Sequence, residues 1–418
     1  MYGATVGKLA FLGVTAATNQ AVCAITPPDF LSNKYLYHVL FFRKGELLDK
    51  RIGGAQPNIS QTILREVQFP LPPLPEQLRI VAKIEELFSD LDAGITSLRK
   101  AKEQLKTYRQ SVLKWAFEGK LTEDWREKIK PEPARIFINK ISKFRNEWVI
   151  AEGKNGNSEA RRILAKIAKL NNSKQRPTGS FPDGWEQRTL LEYCLVVVDC
   201  HNKTAPYTHG GIHLIRTTDI RDGKLFLEQT RFVSKNTYEY WARRCPPSAG
   251  DVLLTREAPM GEAAIVPDNV VVCMGQRMML LRPVSELSNP KYLLYALYSP
   301  LIKQQIDKKA MGTGVQHLRV GDVETILIPV PSEEEQSAIV SEIESRLSVA
   351  DNLEKTIETS ITQAAALRQS ILKRAFEGKL VPQDPNDEPA EKLLKRIKAE
   401  KEPALNASPV KRLRKGRN

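Results

Sequence analysis

The sequence predicts an α+β protein that consists of two similar units, each with a mixed domain followed by a long helix. Three observations predict this fold. The stretch YRQSVLKWAFEGKL (residues 108–121) returns as LRQSILKRAFEGKL (residues 367–380), with 11 of 14 positions identical. Both copies end a stretch with apolar heptad spacing, and both helical stretches follow a proline-rich segment. A repeat with so long a period indicates a duplicated architecture.

The first mixed domain, residues 1–74, is predicted from matches upstream of the repeat. FPLPPLPEQ (69–77) aligns with IPVPSEEEQ (328–336), and GATVGKLAFL (3–12) resembles APMGEAAIV (258–266). The second copy has a long stretch, from Trp185 to Gly261, before the last of these matches. We therefore expect the first domain to be partial, shorter than the second by roughly 70 residues.

Heptad periodicity predicts two long helices, residues 75–120 and 333–379. Pro75 marks the start of the first, and Gly119 and Gly378 mark the two ends. A helix with a single apolar seam needs a partner, so we expect the two helices to pair within the chain as a coiled coil. The predicted seam comprises Ile84, Leu91, Leu98, Leu105, Ile343, Leu353, Ile357 and Leu367.

The second mixed domain, residues 181–332, is predicted to contain short strands separated by turns. Apolar runs such as GDVLLTR (250–256) and ETILIPVP (324–331) indicate strands, and Asn289 followed by Pro290 marks the start of a helix. Between the units, residues 121–180 are polar and predicted to be a linker, with a loop at AEGKNGNSEARR (151–162). Residues 380–418 are predicted to be a basic tail, a short helix followed by a disordered end.

Composition points to a polyanionic partner. The chain has 418 residues, a formal net charge of +14 and a pI of about 9.4, so nucleic acid is the first candidate and solubility alone is the alternative. The sequence contains no apolar run of 18 residues, so we expect no membrane span. Five cysteines without an export signal predict free thiols in a reducing cytoplasm.

The sequence carries no convincing motif for catalysis. NPKY (289–292) is similar to the loop with which amino-methyltransferases hold a flipped adenine. An N-capped helix explains it better, because the first copy has SNKY (32–35) there and no glycine-rich loop for a methyl donor precedes it. The spacing of Cys194, Cys200, His201, His209 and His213 fits no tight pair of zinc ligands. The sequence therefore predicts no catalytic residue and no metal.

The repeated segments resemble the specificity (S) subunit of type I restriction–modification enzymes. The resemblance rests on PLPPLPEQLRIVAKIEELFSDLDAGI and PVPSEEEQSAIVSEIESRLSVADNL, on the two RQS…AFEGKL copies, and on FPDGWEQRTL and LIRTTDIRDGKL. It covers essentially the whole chain. It implies two target-recognition domains, the first one partial, each reading half of a bipartite DNA site. It also implies that a pair of long antiparallel coiled-coil helices separates them.

The resemblance implies partners as well. They are double-stranded DNA, two modification (methyltransferase) subunits that bring S-adenosylmethionine, and restriction (translocase and nuclease) subunits that use ATP and Mg²⁺. The chain itself would hold no cofactor, catalyse nothing and work in the cytoplasm. The alternatives are a specificity-like scaffold, or a variant that reads only one half-site. A methyltransferase fused in one chain and a coiled-coil scaffold without DNA are weaker alternatives.

Residue type and position suggest which side chains meet DNA. Arginine and lysine suit phosphates and guanine, while glutamine and asparagine suit adenine edges. The candidates are Lys203, Arg216, Thr218, Arg256, Gln276, Arg277 and His317 in the second domain, and Lys8, Gln20 and Asn58 in the first. For any one of them, a solvated position on a basic face is the alternative.

Overall fold

The computed structural model describes residues 6–50, 58–154, 158–171, 181–312 and 314–406. The chain forms two compact units. The first comprises Met1–Lys102 and Lys355–Asn418, and the second comprises Glu103–Glu354. The boundary between the units falls inside both long helices, so each unit contains part of each of them.

The fold is α+β, as the sequence predicts. The helices are α1 (Asn33–Phe42), α2 (Lys44–Asp49), α3 (Gln61–Arg65), α4 (Leu74–Phe117), α5 (Glu123–Ile129), α6 (Ala134–Lys154), α7 (Ser158–Asn171), α8 (Leu190–Tyr193), α9 (Lys235–Trp241), α10 (Pro290–Tyr298), α11 (Pro300–Lys309), α12 (Val320–Glu324), α13 (Glu333–Phe376) and α14 (Ala390–Asn406). The strands are β1 (Glu186–Thr189), β2 (Val196–Asp199), β3 (Ile212–Ile215), β4 (Ile220–Arg221), β5 (Lys224–Leu225), β6 (Arg231–Val233), β7 (Val252–Thr255), β8 (Ala263–Ile265), β9 (Val272–Met274), β10 (Met278–Arg282) and β11 (Leu327–Val330).

The two long helices are confirmed as α4 and α13, each of 44 residues. Both end where the sequence predicts. Gly119 and Gly378 follow them with left-handed φ values of +75° and +69°, which suit glycine at a helix C-terminus. At Gly119 a Cβ atom would also lie 2.3 Å from Cγ of Pro182, so a side chain has no room there.

In the first unit, parts of α4 and α13 pack antiparallel. Ion pairs join Lys102 to Glu358 and Asp92 to Arg368. Residue numbers therefore increase along one helix in the direction in which they decrease along the other. An apolar cluster fills the space between these helices and α1. Its buried members are Tyr35, Val39, Ile80, Val81, Ile84, Ile371, Leu372 and Ala375.

In the second unit the remaining parts of the two helices are also antiparallel, because Arg109 pairs with both Asp351 and Glu354. The largest sheet has the strand order β2-β10-β7-β8, and all of its neighbouring strands are antiparallel. A smaller sheet, β6-β3-β9, contains a parallel pair in which Leu214 lies opposite Cys273. One large core cluster extends from these sheets to α4, α6, α10 and α13.

The same local structure is built once in each unit. In the first unit Ser32 caps α1, and the hydroxyl of Tyr35 donates to the carbonyl of Pro70 over 2.9 Å. In the second unit Asn289 caps α10, and the Tyr292 hydroxyl donates to the carbonyl of Pro329 over 2.8 Å. The interpretation of NPKY as the start of a helix is therefore confirmed.

The predicted loop at residues 151–162 is wrong for the described residues. Helix α6 continues to Lys154, and α7 begins at Ser158. Apolar side chains explain why this polar-looking segment is helical, because Phe137 and Ile141 of α6 and Ile163 of α7 are buried in the core of the second unit. In the tail, α14 extends the predicted short helix to Asn406, and residues 407–418 lie outside the described residues.

The prediction that Leu353 and Leu367 belong to the coiled-coil seam is wrong. Leu353 and Leu367 are both 49% exposed. Seven-residue steps from the buried Ile343 lead through Ala350, Ile357 and the half-buried Ala364 to Ile371. Between these positions, Glu354 and Arg368 face the other long helix. Both polar residues are ion-paired to the other long helix, and each leucine precedes one of them by a single residue. One residue turns a side chain by about 100° around a helix, so each leucine points away from the seam.

Of the remaining predicted seam residues, Ile84, Leu105, Ile343 and Ile357 are buried, and Leu91 and Leu98 are half-buried.

Candidate nucleic-acid interface

The turn between β9 and β10 of the second unit is fixed in place by its backbone. The amide of Gly275 donates to the carbonyl of Ile215 at the end of β3 over 2.8 Å, and a Cβ atom on Gly275 would lie 2.5 Å from that oxygen. Only glycine fits so close an approach. Arg277 has a left-handed φ of +68°, and its carbonyl accepts from the amide of Arg256 just after β7. The turn is therefore held between the ends of two strands.

A second loop adjoins this turn through Arg256. The Arg256 guanidinium donates to the carbonyl of Leu318, and the Leu318 amide donates back to the carbonyl of Arg256. Nε of Arg256 is buried and has no hydrogen-bond partner. His317, next to Leu318, is exposed and forms backbone bridges with Glu257 and Met311. Arg256 therefore connects two loops, through one guanidinium hydrogen bond and through its backbone.

Arg216 and Thr218 belong to a capped turn that follows β3. The buried carboxylate of Asp219 accepts from Nε of Arg216 over 3.0 Å and from its Nη2 over 2.7 Å. This hydrogen bonding raises the pKa of Arg216 above its ordinary value. Thr218 is exposed and also donates to Asp219, and Thr217 donates to the carbonyl of Ala258 over 3.0 Å. Arg216 therefore organises the loop, and Thr218 is the more accessible of the two.

Gln276 connects the same turn to the loop after β2. Its Nε2 donates to Oγ1 of Thr204 over 3.3 Å. Lys203 is exposed, and its carbonyl accepts from the indole of Trp241 over 3.4 Å. Arg277 is the most accessible arginine of the group, because its side chain is 48% exposed and held by one ion pair, with Glu257 at 3.2 Å. The structure thus brings together the second-domain candidates Lys203, Arg216, Thr218, Arg256, Gln276, Arg277 and His317 on neighbouring loops.

The candidates of the first unit are not assembled in this way. Lys8 and Gln20 are exposed in irregular chain, and Asn58 is half-buried with an unpartnered Oδ1. Within the described part of the chain, no hydrogen bond or ion pair joins any two of these three residues. The sequence around Lys8 and Gln20 also carries exposed apolar side chains, namely Phe11, Leu12, Val14, Val22 and Ile25.

Two cationic residues next to the interface were missed by the sequence analysis. The Arg243 guanidinium lies 3.9 Å from the ring centroid of Tyr240, and the Arg231 guanidinium lies 5.4 Å from that of Tyr207. Both tyrosines are about half exposed. An arginine stacked on an exposed aromatic ring is pre-oriented for anion or base contact. The sequence carries one available signal, because Tyr240 and Arg243 lie three residues apart at the end of a helix.

Other kinds of site receive no support from the described residues. Among them, no group of three His, Cys, Asp or Glu side chains is close enough to hold a metal ion. Burial raises the pKa of the Cys245 thiol to about 11 and that of Cys273 to about 12, so neither is a reactive nucleophile. No helix in the described ranges is long and apolar enough to cross a membrane.

Comparisons with known proteins point to one family. A family model for the type I restriction modification DNA specificity domain matches residues 1–106 and 182–363. The specificity subunit of the type I restriction enzyme EcoBI of Escherichia coli is 26% identical over 405 residues, 92% of this chain and 76% of the relative. That of EcoKI, from Escherichia coli strain K12, is 25% identical over 403 residues, 91% of this chain and 75% of the relative.

Solved structures show the same fold. The HsdS subunit from Thermoanaerobacter tengcongensis matches with a TM-score of 0.50 and 21% identity, over 84% of this chain and 72% of that one. A chain from a study of complex assembly and conformational transition of the type I restriction–modification system matches with a TM-score of 0.55 and 20% identity. This match covers 84% of this chain and 73% of the solved chain.

Proposed function

Because the chain belongs to the family of type I restriction–modification DNA specificity domains, we propose that it is the sequence-reading subunit of such an enzyme. Specificity subunits recognise DNA and leave catalysis to other subunits. The observation that carries the proposal is the loop cluster of the second unit, where a fixed turn presents Gln276 and Arg277 beside Lys203 and His317. We propose residues 181–332 as a complete target-recognition domain.

The roles of the side chains follow from their contacts. Arg277 is exposed and can bond guanine bidentately, and Gln276 can bond adenine. Lys203, Thr218 and His317 are exposed nearby and suit phosphates or base edges. Arg216 and Arg256 are assigned to shaping the loops, because the Arg216 guanidinium pairs with Asp219 and the Arg256 guanidinium donates to the carbonyl of Leu318.

The first unit favours a second candidate function, in which this chain reads one half of a bipartite site. Before α4 begins, the described residues of that unit form helices α1–α3 and no strand, and the apolar side chains around Phe11 and Val22 are exposed. The candidates Lys8, Gln20 and Asn58 therefore lack the fixed turns that present Gln276 and Arg277. On this reading residues 1–74 contribute weak recognition.

The duplicated local structure supports two equivalent partner subunits. Each unit contains a capped helix, a buried tyrosine on a proline carbonyl, and the end of a long helix. We propose that a modification subunit binds at each of these structures and brings S-adenosylmethionine. Restriction subunits with ATP and Mg²⁺ would complete the enzyme in the cytoplasm.

Selection of bound sites from random duplex DNA tests the proposal. The full chain with its modification subunits should enrich one sequence, and the Arg277→Ala variant should lose discrimination at one base pair by about 1–3 kcal/mol. Lys235→Gln is a matched control, because this cation on α9 is 83% exposed. Enrichment of no sequence would reject the function. Two equally strong half-sites would reject the single-half-site candidate.

A further inference from the structure

A cluster of aromatic and cationic side chains lies beside the candidate interface, where β2 and α9 end. The His201 ring packs edge-on against Trp241 at 4.7 Å and against Tyr240 at 5.4 Å between centroids. The Arg243 guanidinium lies over the Tyr240 ring, 3.9 Å from its centroid. Aromatic neighbours therefore fix the orientation of an imidazole and a guanidinium in one place.

The charges around His201 are mainly positive. Burial lowers the pKa of His201, and the nearby charges of Arg243, Lys203 and Arg244 lower it further. Arg244 is neutralised, because it pairs with Glu159 of α7 and Asp199 of β2. On α9 the remaining charged side chains are Lys235 and Glu239, which lie 4.0 Å apart.

Arg243 and Lys203 are the cations left for an external anion. Arg243 is exposed and donates to the carbonyl of Tyr240, and in the described ranges neither Arg243 nor Lys203 forms an ion pair with a carboxylate. The cluster is also attached to the base-reading turn. The Trp241 indole bonds to the carbonyl of Lys203, and Gln276 bonds to the next residue, Thr204.

We propose that His201, Lys203 and Arg243 form a subsite for a backbone phosphate of the DNA, and that His201 gains a proton when the phosphate binds. This inference rests on the proposed function, since it assumes that a duplex approaches the Gln276 turn. An anion among these cations cancels the field that disfavours the imidazolium, so binding and protonation favour each other. Phosphate contacts fix the position of a protein on the duplex without reading sequence.

DNA binding is expected to tighten as the pH falls. The imidazole of the free protein is neutral near pH 7, because its pKa lies below the ordinary value of 6.5. If bound phosphate raises that pKa, DNA binding takes up a proton and becomes tighter as pH falls. One linked proton changes affinity by at most about tenfold per pH unit.

The test measures binding of the full chain to a duplex that carries no selected site. Between about 50 and 200 mM salt, Arg243→Gln should lower affinity by roughly 3- to 10-fold and reduce the salt slope by about 0.9, the value of one lost phosphate contact. Arg243→Lys should recover most of the affinity. Lys235→Gln is the control for general loss of positive charge.

The protonation of His201 on phosphate binding is tested with the His201→Gln variant. Wild-type affinity should rise roughly 3- to 10-fold from pH 8 to pH 6, and the variant should lose most of that rise. Unchanged salt slope in Arg243→Gln, or an equal pH dependence in His201→Gln, would overturn the subsite. Melting curves of both variants separate lost binding from lost folding, and the exposed Arg243 keeps the test decisive if His201→Gln unfolds. Because the duplex carries no selected site, these outcomes do not depend on whether the chain enriches a sequence.

Discussion

Replacing Ile371 by alanine should destabilise the helix pair of the first unit by about 3 kcal/mol. Ile371 is buried in the cluster that contains Ile80, Val81 and Ile84 of the other long helix. Removing most of a buried isoleucine side chain loses transfer free energy and leaves a cavity, and such changes cost about 2–5 kcal/mol. We place this site in the lower half of that range, because the side chain remains 7% exposed.

The matched control is Leu367→Ala, one helical turn earlier on α13. Heptad spacing of apolar residues places Leu367 in the seam, but the side chain is exposed in the structure. Its loss should change the free energy of unfolding by no more than about 0.5 kcal/mol, helped by the higher helix propensity of alanine. Urea titrations followed by circular dichroism at the helix band measure both values. Equal losses for the two variants would refute the assignment of the seam to Ile371.

Three further predictions concern single side chains. Tyr292→Phe should cost about 1 kcal/mol of unfolding free energy, because the buried hydroxyl loses its hydrogen bond of 2.8 Å to a backbone carbonyl; an unchanged urea midpoint would contradict it. Gly275→Ala should weaken DNA binding at least about fivefold, since the new Cβ would collide with the carbonyl of Ile215. Gly314→Ala, which has open space, should leave binding unchanged. Burial lowers the pKa of His38 below 6.5, so on acidification the imidazole takes up a proton more readily in the unfolded chain than in the folded protein. The free energy of unfolding should therefore fall as the pH drops below about 6.5. A His38→Leu variant should lose that decrease between about pH 7.5 and 5.5.

The sequence was most informative where short-range chemistry determines structure. Heptad spacing, together with the glycine that follows each helix, predicted α4 and α13. The capping residues Ser32 and Asn289 predicted the starts of two shorter helices. These signals work because a helix terminus depends on a few neighbouring residues. Polar composition failed for α6 and α7, because a few buried residues such as Phe137 and Ile163 determine their helical packing.

The DNA-contacting candidates show a different limit. Residue type selected Arg216 and Arg277 equally, and only the structure shows that Asp219 holds the first while the second is accessible. His201 and Arg243 lie 42 positions apart in the sequence, and their proximity depends on the placement of α9 beside β2. Such pairs are set by tertiary contacts, which neither propensity nor spacing records.

The contacts of the repeated AFEGKL segment explain why it occurs twice. In the first unit Phe376, from the end of α13, packs against Tyr35 at 5.6 Å between ring centroids. In the second unit Phe117, from the end of α4, packs against Tyr292 at 5.3 Å. Each unit thus combines the beginning of one long helix with the end of the other, and each needs its own aromatic residue at that end. A single copy could complete only one unit, because the antiparallel arrangement sends the ends of α4 and α13 to different units.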